Sequence, residues 1–187
     1  LCRRQHDDVE VGGAVGHGRL DEQRAHHCPG ELGAAHDSDV AKITIRRVPD
    51  RPGIAAHIFE PLAEAGISVD TIVQNSSEGN LTDLTFTLSR RDLRKAETVM
   101  PGICTDVGAP AFTSDANLGK VSIVGVGIQT AHGYAARMFR ALFDAGINIE
   151  LISTSEIRLT CIIAADRVHD AVRILHAAFE LESAAAE

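Results

Sequence analysis

The residues best suited to chemistry lie in a short turn, Asp50-Arg-Pro-Gly53-Ile-Ala55. Pro52 presets φ at a place that needs no N–H, and Gly53 lets a ligand come close to the backbone. The amides that follow open a helix, where unpaired N–H groups at the positive end of the dipole suit a carboxylate. Asp50, beside them, suits an ammonium. Carboxylate plus ammonium is the chemistry of an α-amino acid, although the same residues also make a plain helix start. A second set of short hydrogen-bonding side chains, Gln74-Asn75-Ser76-Ser77 with Thr82-Asp83, reads equally as ordinary turn chemistry or as the rim of the same groove.

Catalytic patterns are missing. Gly125-Val-Gly127 precedes a helix but lacks the third glycine of a nucleotide loop, and no P-loop or GxSxG occurs. Cys104 and Cys161 have no histidine partner by motif, Glu156 and Asp83 form no recognisable acid pair, and His57, His169 and His176 fall at solvent-compatible helix positions. The four cysteines are scattered without a CxxC and read as free thiols. His26-His27-Cys28 has no second ligand cluster at metal spacing, so neither metal nor cofactor is expected. A net charge of −8 and a pI near 5.5 argue against nucleic acid or an anionic membrane as partner. With no 18-residue apolar run and no signal-peptide pattern, the expectation is a cytoplasmic protein that binds rather than catalyses.

The elements that must hold the turn are given by an internal repeat. Residues 53–70 align without a gap on residues 133–150, an offset of 80, with eight of 18 positions identical and others keeping class, as in Asp70/Glu150. In the first copy, residues 41–48 alternate as a strand, and Ile54, Ile58 and Leu62 recur at helical spacing over 53–65. Gly66 sits at the helix C-cap, 67–74 and 81–88 read as strands, and a second helix runs from Arg90 to about Met100, stopped by Pro101-Gly102. A fourth strand is expected within 106–113. The second copy repeats the order: strand 120–126, helix 132–145 capped by Gly146, strands 149–154 and 156–164, and helix 166–181 with Asp166 in its first turn.

The order βαββαβ predicts an α+β protein of two ferredoxin-like units, each an antiparallel sheet with both helices on one face. The second copy ends without a fourth strand. An open edge is a liability, so the candidate to fill it is the stretch at 31–37, which would nest the first unit inside the second. Residues 1–38 contain no Ile, Phe, Tyr or Met and hold five of the nine histidines, so they read as a poorly ordered or non-native tail. The units are expected at 40–114 and 115–183. In the second, the turn equivalent to Asp50–Gly53 is Thr130-Ala-His132-Gly133, so the two turns differ chemically. The equivalent polar stretches are Asn148-Ile149 and Ser153-Thr154-Ser155-Glu156.

Five segments carry a family resemblance: Val48-Pro-Asp-Arg-Pro-Gly-Ile-Ala-Ala56, Val73-Gln-Asn-Ser76, Leu81-Thr-Asp-Leu-Thr-Phe86, Lys120-Val-Ser-Ile-Val-Gly-Val-Gly127 and Asn148-Ile-Glu-Leu-Ile-Ser-Thr-Ser-Glu-Ile-Arg158. Over residues 40–181 the chain resembles the tandem ACT regulatory region of aspartate kinase, and is similar to a beta subunit or a regulatory fragment that lacks the kinase domain. The resemblance implies a feedback sensor with no catalytic residues of its own. It would bind threonine, lysine or both at ACT–ACT interfaces and inhibit phosphorylation of aspartate in lysine, threonine and methionine biosynthesis. Its partners would be a second copy, a kinase catalytic subunit, or both. It places effector contacts on Asp50, Gly53, Ile54, Ala55, Gln74, Asn75 and Thr82 in the first unit, and on His132, Gly133, Asn148, Ile149 and Ser153 in the second. His132 stands where that family often has proline. The alternative from another class is a stand-alone ACT-repeat amino-acid-binding protein that regulates some other partner.

Overall fold

The computed structural model describes residues 32–75, 79–126, 128 and 133–181. Ten elements follow in order: β1 (Gly33–Pro49), α1 (Ile54–Glu64), β2 (Val69–Gln74), β3 (Leu81–Leu88), α2 (Leu93–Val107), β4 (Ala111–Val124), α3 (Tyr134–Asp144), β5 (Leu151–Thr154), β6 (Arg158–Ala164) and α4 (Val168–Ala178). The strands form one antiparallel sheet in the order β2-β3-β1-β4-β6-β5.

Two strands are far longer than the usual 3–10 residues, because each serves both units. β1 has 17 residues and β4 has 14. Lys42–Arg46 pair with Ala111–Asp115 in the first unit, while Gly33–Asp37 pair with Lys120–Val124 in the second. The strand that the second repeat lacks is therefore supplied from before the first, and the units are nested. Gly33-Ala-Ala-His-Asp37 is a weak strand former; its small side chains and free backbone groups suffice where β4 offers a ready ladder. Register shifts flank the Val40–Leu118 pair, where bulges bend the ribbon between the units.

Several boundaries correct the sequence expectations. The second helix does not stop at Pro101-Gly102; α2 continues to Val107 and ends on Gly108 at φ 75°. A proline costs the helix one hydrogen bond, about 3 kcal/mol. Burial of Ile103, Cys104 and Val107, which extend the Leu93–Ala96–Met100 stripe, outweighs it. The fourth strand, expected within 106–113, starts at Ala111 and runs past that window, and the strand expected at 120–126 is its continuation, because Ser114–Gly119 stay extended against β1 instead of turning. β2, β5 and β6 start at Val69, Leu151 and Arg158, each two residues later than the pattern suggested. The last helix spans Val168–Ala178 after a 3-10 turn, Ala165–Arg167, that holds Asp166.

Helices cover one face of each unit. The first core gathers Ile43, Ile45, Leu84 and Phe86 under α1 and α2; the second gathers Val121, Ile123, Leu159, Cys161 and Ile163 under α3 and α4. α1 and α3 both end at a left-handed glycine, Gly66 (φ 66°) and Gly146 (φ 65°), which a Cβ would strain. The opposite face is polar but closely tied. Thr44 and Thr85 share a 3.0 Å hydroxyl hydrogen bond, Ser122 and Thr160 one of 2.8 Å, and the Thr71 amide donates to Thr87 Oγ1. A small apolar cluster of Val40, Leu118 and Ile162 lies on this face.

Two ion pairs cross this face between the units. Lys42 on β1 reaches Glu150 at 3.0 Å, and Lys120 on β4 reaches Asp70 on β2 at 2.8 Å. β4 and β2 are three strands apart in sheet order, roughly 14 Å if the sheet were flat, so the sheet coils to bring them together. Each pair joins the first-strand lysine of one unit to an acid at the start of the other's second strand, Asp70 within β2 and Glu150 just before β5.

Candidate functional site

The first unit assembles its turn from three strand ends. Pro49 pairs with Leu81 and Val48 with Thr82, and the Asp50 amide donates to the Asn80 carbonyl at 2.9 Å. The Thr82 hydroxyl, buried, donates to the Asn75 carbonyl at 2.7 Å, which fixes the end of β2 beside β3. Asp50, Gln74 and Asn75 are thus exposed at one end of the sheet, on either side of β3. A bulge in β1 at Arg46–Arg47 turns the strand there; Arg47 adopts φ 54°, and its amide donates to Asp83 Oδ1 at 2.8 Å.

Gly53 is the N-cap of α1 at φ 89° and offers no side-chain cap. The first helical hydrogen bond is His57 N–H to Gly53 carbonyl, and Ile54 N–H donates to Arg51. The amides of Ala55 and Ala56 have no acceptor among the described residues. They are exposed donors at a positive helix end, five and six residues after Asp50 in sequence. Ile54 itself is buried in the core, so only its backbone is available there.

The second unit repeats this geometry. Gly133 caps α3 at φ 100°, again without a side-chain cap, and the first helical bond is Arg137 N–H to Gly133 carbonyl. Neither Gly53 nor Gly133 has an atom of the described residues within 4 Å of where a Cβ would stand. His132 and Thr130 lie outside the described residues. Asn148 and Ile149 are not at this turn. They precede Leu151, which pairs with Ile162, whereas the β4 end that leads to α3, Val124, pairs with Arg158 at the other end of β6. Asn148 donates to Glu150 Oε1 at 3.2 Å, and Ile149 packs against the second core. Ser153, opposite Thr160, faces the polar side of the sheet.

The expected sites therefore separate into a compact set in the first unit and a divided one in the second. Sequence reasoning passed over the crossed ion pairs. Their signal was the class match Asp70/Glu150 in the repeat, each acid preceded at a similar distance by a first-strand lysine. Glu150 has its carboxyl held below the ordinary glutamate range, chiefly by the hydrogen bond from Lys42 and then by that ammonium's charge. Burial pushes the Cys161 thiol up to about 12 and raises that of Cys104. Neither is a nucleophile at neutral pH. No cluster of metal-ligating side chains occurs among the described residues.

The ACT-domain family profile matches residues 43–100, and an ACT-domain profile matches again at 121–179. An aspartate kinase of Stutzerimonas stutzeri is 47% identical over 166 residues, 89% of this chain and 40% of that relative. The chain thus spans about 40% of the length of the curated relatives it matches. Among solved structures, a chain of the aspartokinase alpha and beta subunits is 40% identical with a TM-score of 0.74, and the match covers 80% of this chain and 98% of that one. The ligand-free regulatory subunit of aspartate kinase from Thermus thermophilus is 38% identical with a TM-score of 0.74, with 79% of this chain and 97% of that subunit covered.

Proposed function

The chain belongs to the ACT-domain family, as the regulatory portion of an aspartate kinase, and from that premise we propose that it senses threonine and/or lysine and inhibits aspartate phosphorylation in response. The observation that carries this reading is the duplicated helix start. Two turns, one per unit, each end in a left-handed glycine and present uncapped amides to solvent. An effector carboxylate would take the amides of Ala55 and Ala56, its ammonium would take Asp50, and Gln74 and Asn75 would line the side. Gly133 with His132 would form the counterpart, while Thr82 would act by fixing Asn75.

The sites would be completed at ACT–ACT interfaces. β2 and β5 are the sheet edges, and their equivalent residues Ile72 and Ile152 are 52% and 45% exposed. Apolar side chains on unpaired edges favour strand pairing with another copy. That pairing would bring Asn148 and Ile149 of one chain toward the first-unit turn of another. The partners are then a second copy, a kinase catalytic subunit, or both, in the cytoplasm. No helix among the described residues is long and apolar enough to cross a membrane.

Inhibition follows only if effector binds the inactive arrangement more tightly than the active one. Calorimetric titration with threonine and lysine, separately and together, tests the reading. Binding of either, lost in Gly53→Val, is the expected outcome. If neither binds, with or without the catalytic polypeptide, the sensor reading fails.

A further inference from the structure

The register of the shared strands relates the two units by a pseudo-twofold axis through the Val40–Leu118 pair. On one side of that pair Asp37 faces Lys120, and on the other Lys42 faces Asp115. Both strands bend there by the same device. The Asp39 amide donates to Asp37 Oδ1 at 2.8 Å, and the Asn117 amide donates to Asp115 Oδ1 at 2.8 Å. A short side chain that accepts from the backbone two residues on is turn chemistry set into a strand. The bend is thus duplicated along with the units.

Its fastening is not duplicated. On one side stands the corner from β3 into α2, Ser89-Arg90-Arg91. The Ser89 hydroxyl donates to Asp39 Oδ2 at 2.7 Å, and Arg91 Nε lies 3.4 Å from the same oxygen. Arg90 Nη2 donates to the Leu118 carbonyl at 2.9 Å. Three consecutive residues of the first unit therefore hold both strands of the ribbon at the bend. Ser89 Oγ also accepts from the Arg91 amide at 3.2 Å, which fixes the corner itself. Leu88 pairs with Ala41 as Ile163 pairs with Gly119, so the corresponding corner of the second unit is Ala164-Ala165-Asp166. The two alanine side chains offer no donor. Arg167, next in the chain, turns instead to the Ala145 and Gly146 carbonyls at the end of α3, inside its own unit.

We propose that Ser89-Arg90-Arg91 is a catch that fastens the β1–β4 bend to the first unit and so fixes the angle at which the second unit stands. The bend moves with the first unit, and the second unit is the one that pivots when the catch opens. The Lys42–Glu150 and Lys120–Asp70 pairs do not replace it. They are images of each other under the axis and their acids are open to solvent, so each is weak and neither favours one unit. Arg91, 84% exposed, adds little for the same reason. The charge-assisted Ser89–Asp39 bond and the Arg90 bond to a strand carbonyl carry the fastening. As a regulatory device the catch rests on the sensor reading, because an effector that changes the angle between the units must open it. As geometry it stands without that reading.

Residual dipolar couplings of the 187-residue chain, measured without effector, test the proposal. In the wild type one alignment tensor should fit the amides of both units. In the Ser89→Ala, Arg90→Gln double variant the second unit should need its own tensor, smaller than that of the first. Amide exchange at Asp39 should quicken there by roughly tenfold or more. Asp39→Ala leaves the corner intact and should also separate the tensors, whereas Asp39→Asn keeps an acceptor for Ser89 and should retain one. Arg167→Gln, at the second unit's corner, should retain one as well. The proposal is overturned if the wild type needs two tensors, if the double variant and Asp39→Ala keep one, or if Arg167→Gln separates the units as fully as they do. Calorimetry on the same samples keeps the two readings apart. A wild type that binds neither threonine nor lysine would remove the sensor reading, while a second tensor in Asp39→Ala would still uphold the catch. Binding by the wild type with a single tensor in every variant would do the reverse.

Discussion

In the first unit the middle of the sheet is filled by Phe86, which meets Phe59 edge-on at 5.5 Å. At the corresponding place in the second unit stands Cys161: it pairs with Val121 as Phe86 pairs with Ile43, and it is as fully buried. The second unit moves its aromatic contact to the periphery, where Tyr134 stacks on Phe179 at 6.0 Å. The helix starts show the converse. Gly53 and Gly133 keep the same left-handed conformation while the residues before them change from Asp50 and Pro52 to Thr130 and His132. Duplication has thus preserved backbone geometry at the turns and full burial at the core, and has let side-chain chemistry drift in both.

The core difference carries the largest expected effect. Phe86→Ala should cost about 3–5 kcal/mol, the range for deleting a buried aromatic. Cys161→Ala removes one atom and should cost about 1 kcal/mol. Urea unfolding of the two variants checks the ratio, and near-equal losses would break the idea that the first unit rests on its aromatic pair. With its pKa pushed up to about 12 and no exposed surface, Cys161 should resist iodoacetamide at pH 8 in the folded protein and react once urea unfolds it.

A second contrast lies on the shared strands. The first unit carries Ala41 where the second carries Gly119, and Leu93 where the second carries Val168. A Cβ at Gly119 would stand 2.3 Å from Val168 Cγ2 and 3.3 Å from the Asp37 carbonyl. Gly119→Ala should therefore destabilise by about 1–3 kcal/mol through overpacking. Val168→Ala added to it should recover part of that loss, a non-additivity measurable by thermal melting. Simple addition of the two losses would mean that the contact is not what excludes a side chain there.

Much of this was legible in the residues. Ile54, Ile58 and Leu62 set α1, Gly66 ended it, and the repeat transferred both to α3. The extent of β1 and β4 was not legible, because Gly33–Asp37 and Ser114–Gly119 have turn-like composition and become strand only through each other. Pro101 misled for the same reason: local cost is plain in sequence, whereas the burial of Ile103 and Val107 that overrides it is a tertiary fact. The first-unit turn was readable from Asp50, Pro52 and Gly53. The crossed ion pairs were not, since Lys120 and Asp70, 50 positions apart and three strands apart in sheet order, meet only because the sheet coils.

The paired turns give a smaller effect. Gly53→Ala and Gly133→Ala each force a Cβ into a left-handed conformation at about 1–2 kcal/mol, with no clash to add to it. Equal losses in stability with unequal losses in threonine or lysine binding, read by calorimetry, would show that the turns share geometry but not ligand. Equal losses in both would erase the functional half of the comparison.

The smallest effect separates the two crossed ion pairs. Among the described residues Lys42 serves Glu150 alone, whereas Lys120 sits between Asp70 and Asp37. Both lysines are mostly covered, at 19% and 16% exposed, but the acids are open to solvent, so each pair is worth at most about 1 kcal/mol. Glu150 has its folded-state carboxyl below the ordinary value of 4.5, owing first to the Lys42 hydrogen bond. A depressed carboxyl contributes stability that is present above its unfolded pKa and is lost as pH falls through the folded one. The gap in urea midpoint between wild type and Lys42→Met should therefore be constant above about pH 5.5 and close below 4.5. Added salt should narrow it at neutral pH as well. A gap that persists unchanged into acid would mean that Lys42 acts through its packed methylene stem, and the crossed pairs would then be contacts of shape rather than of charge.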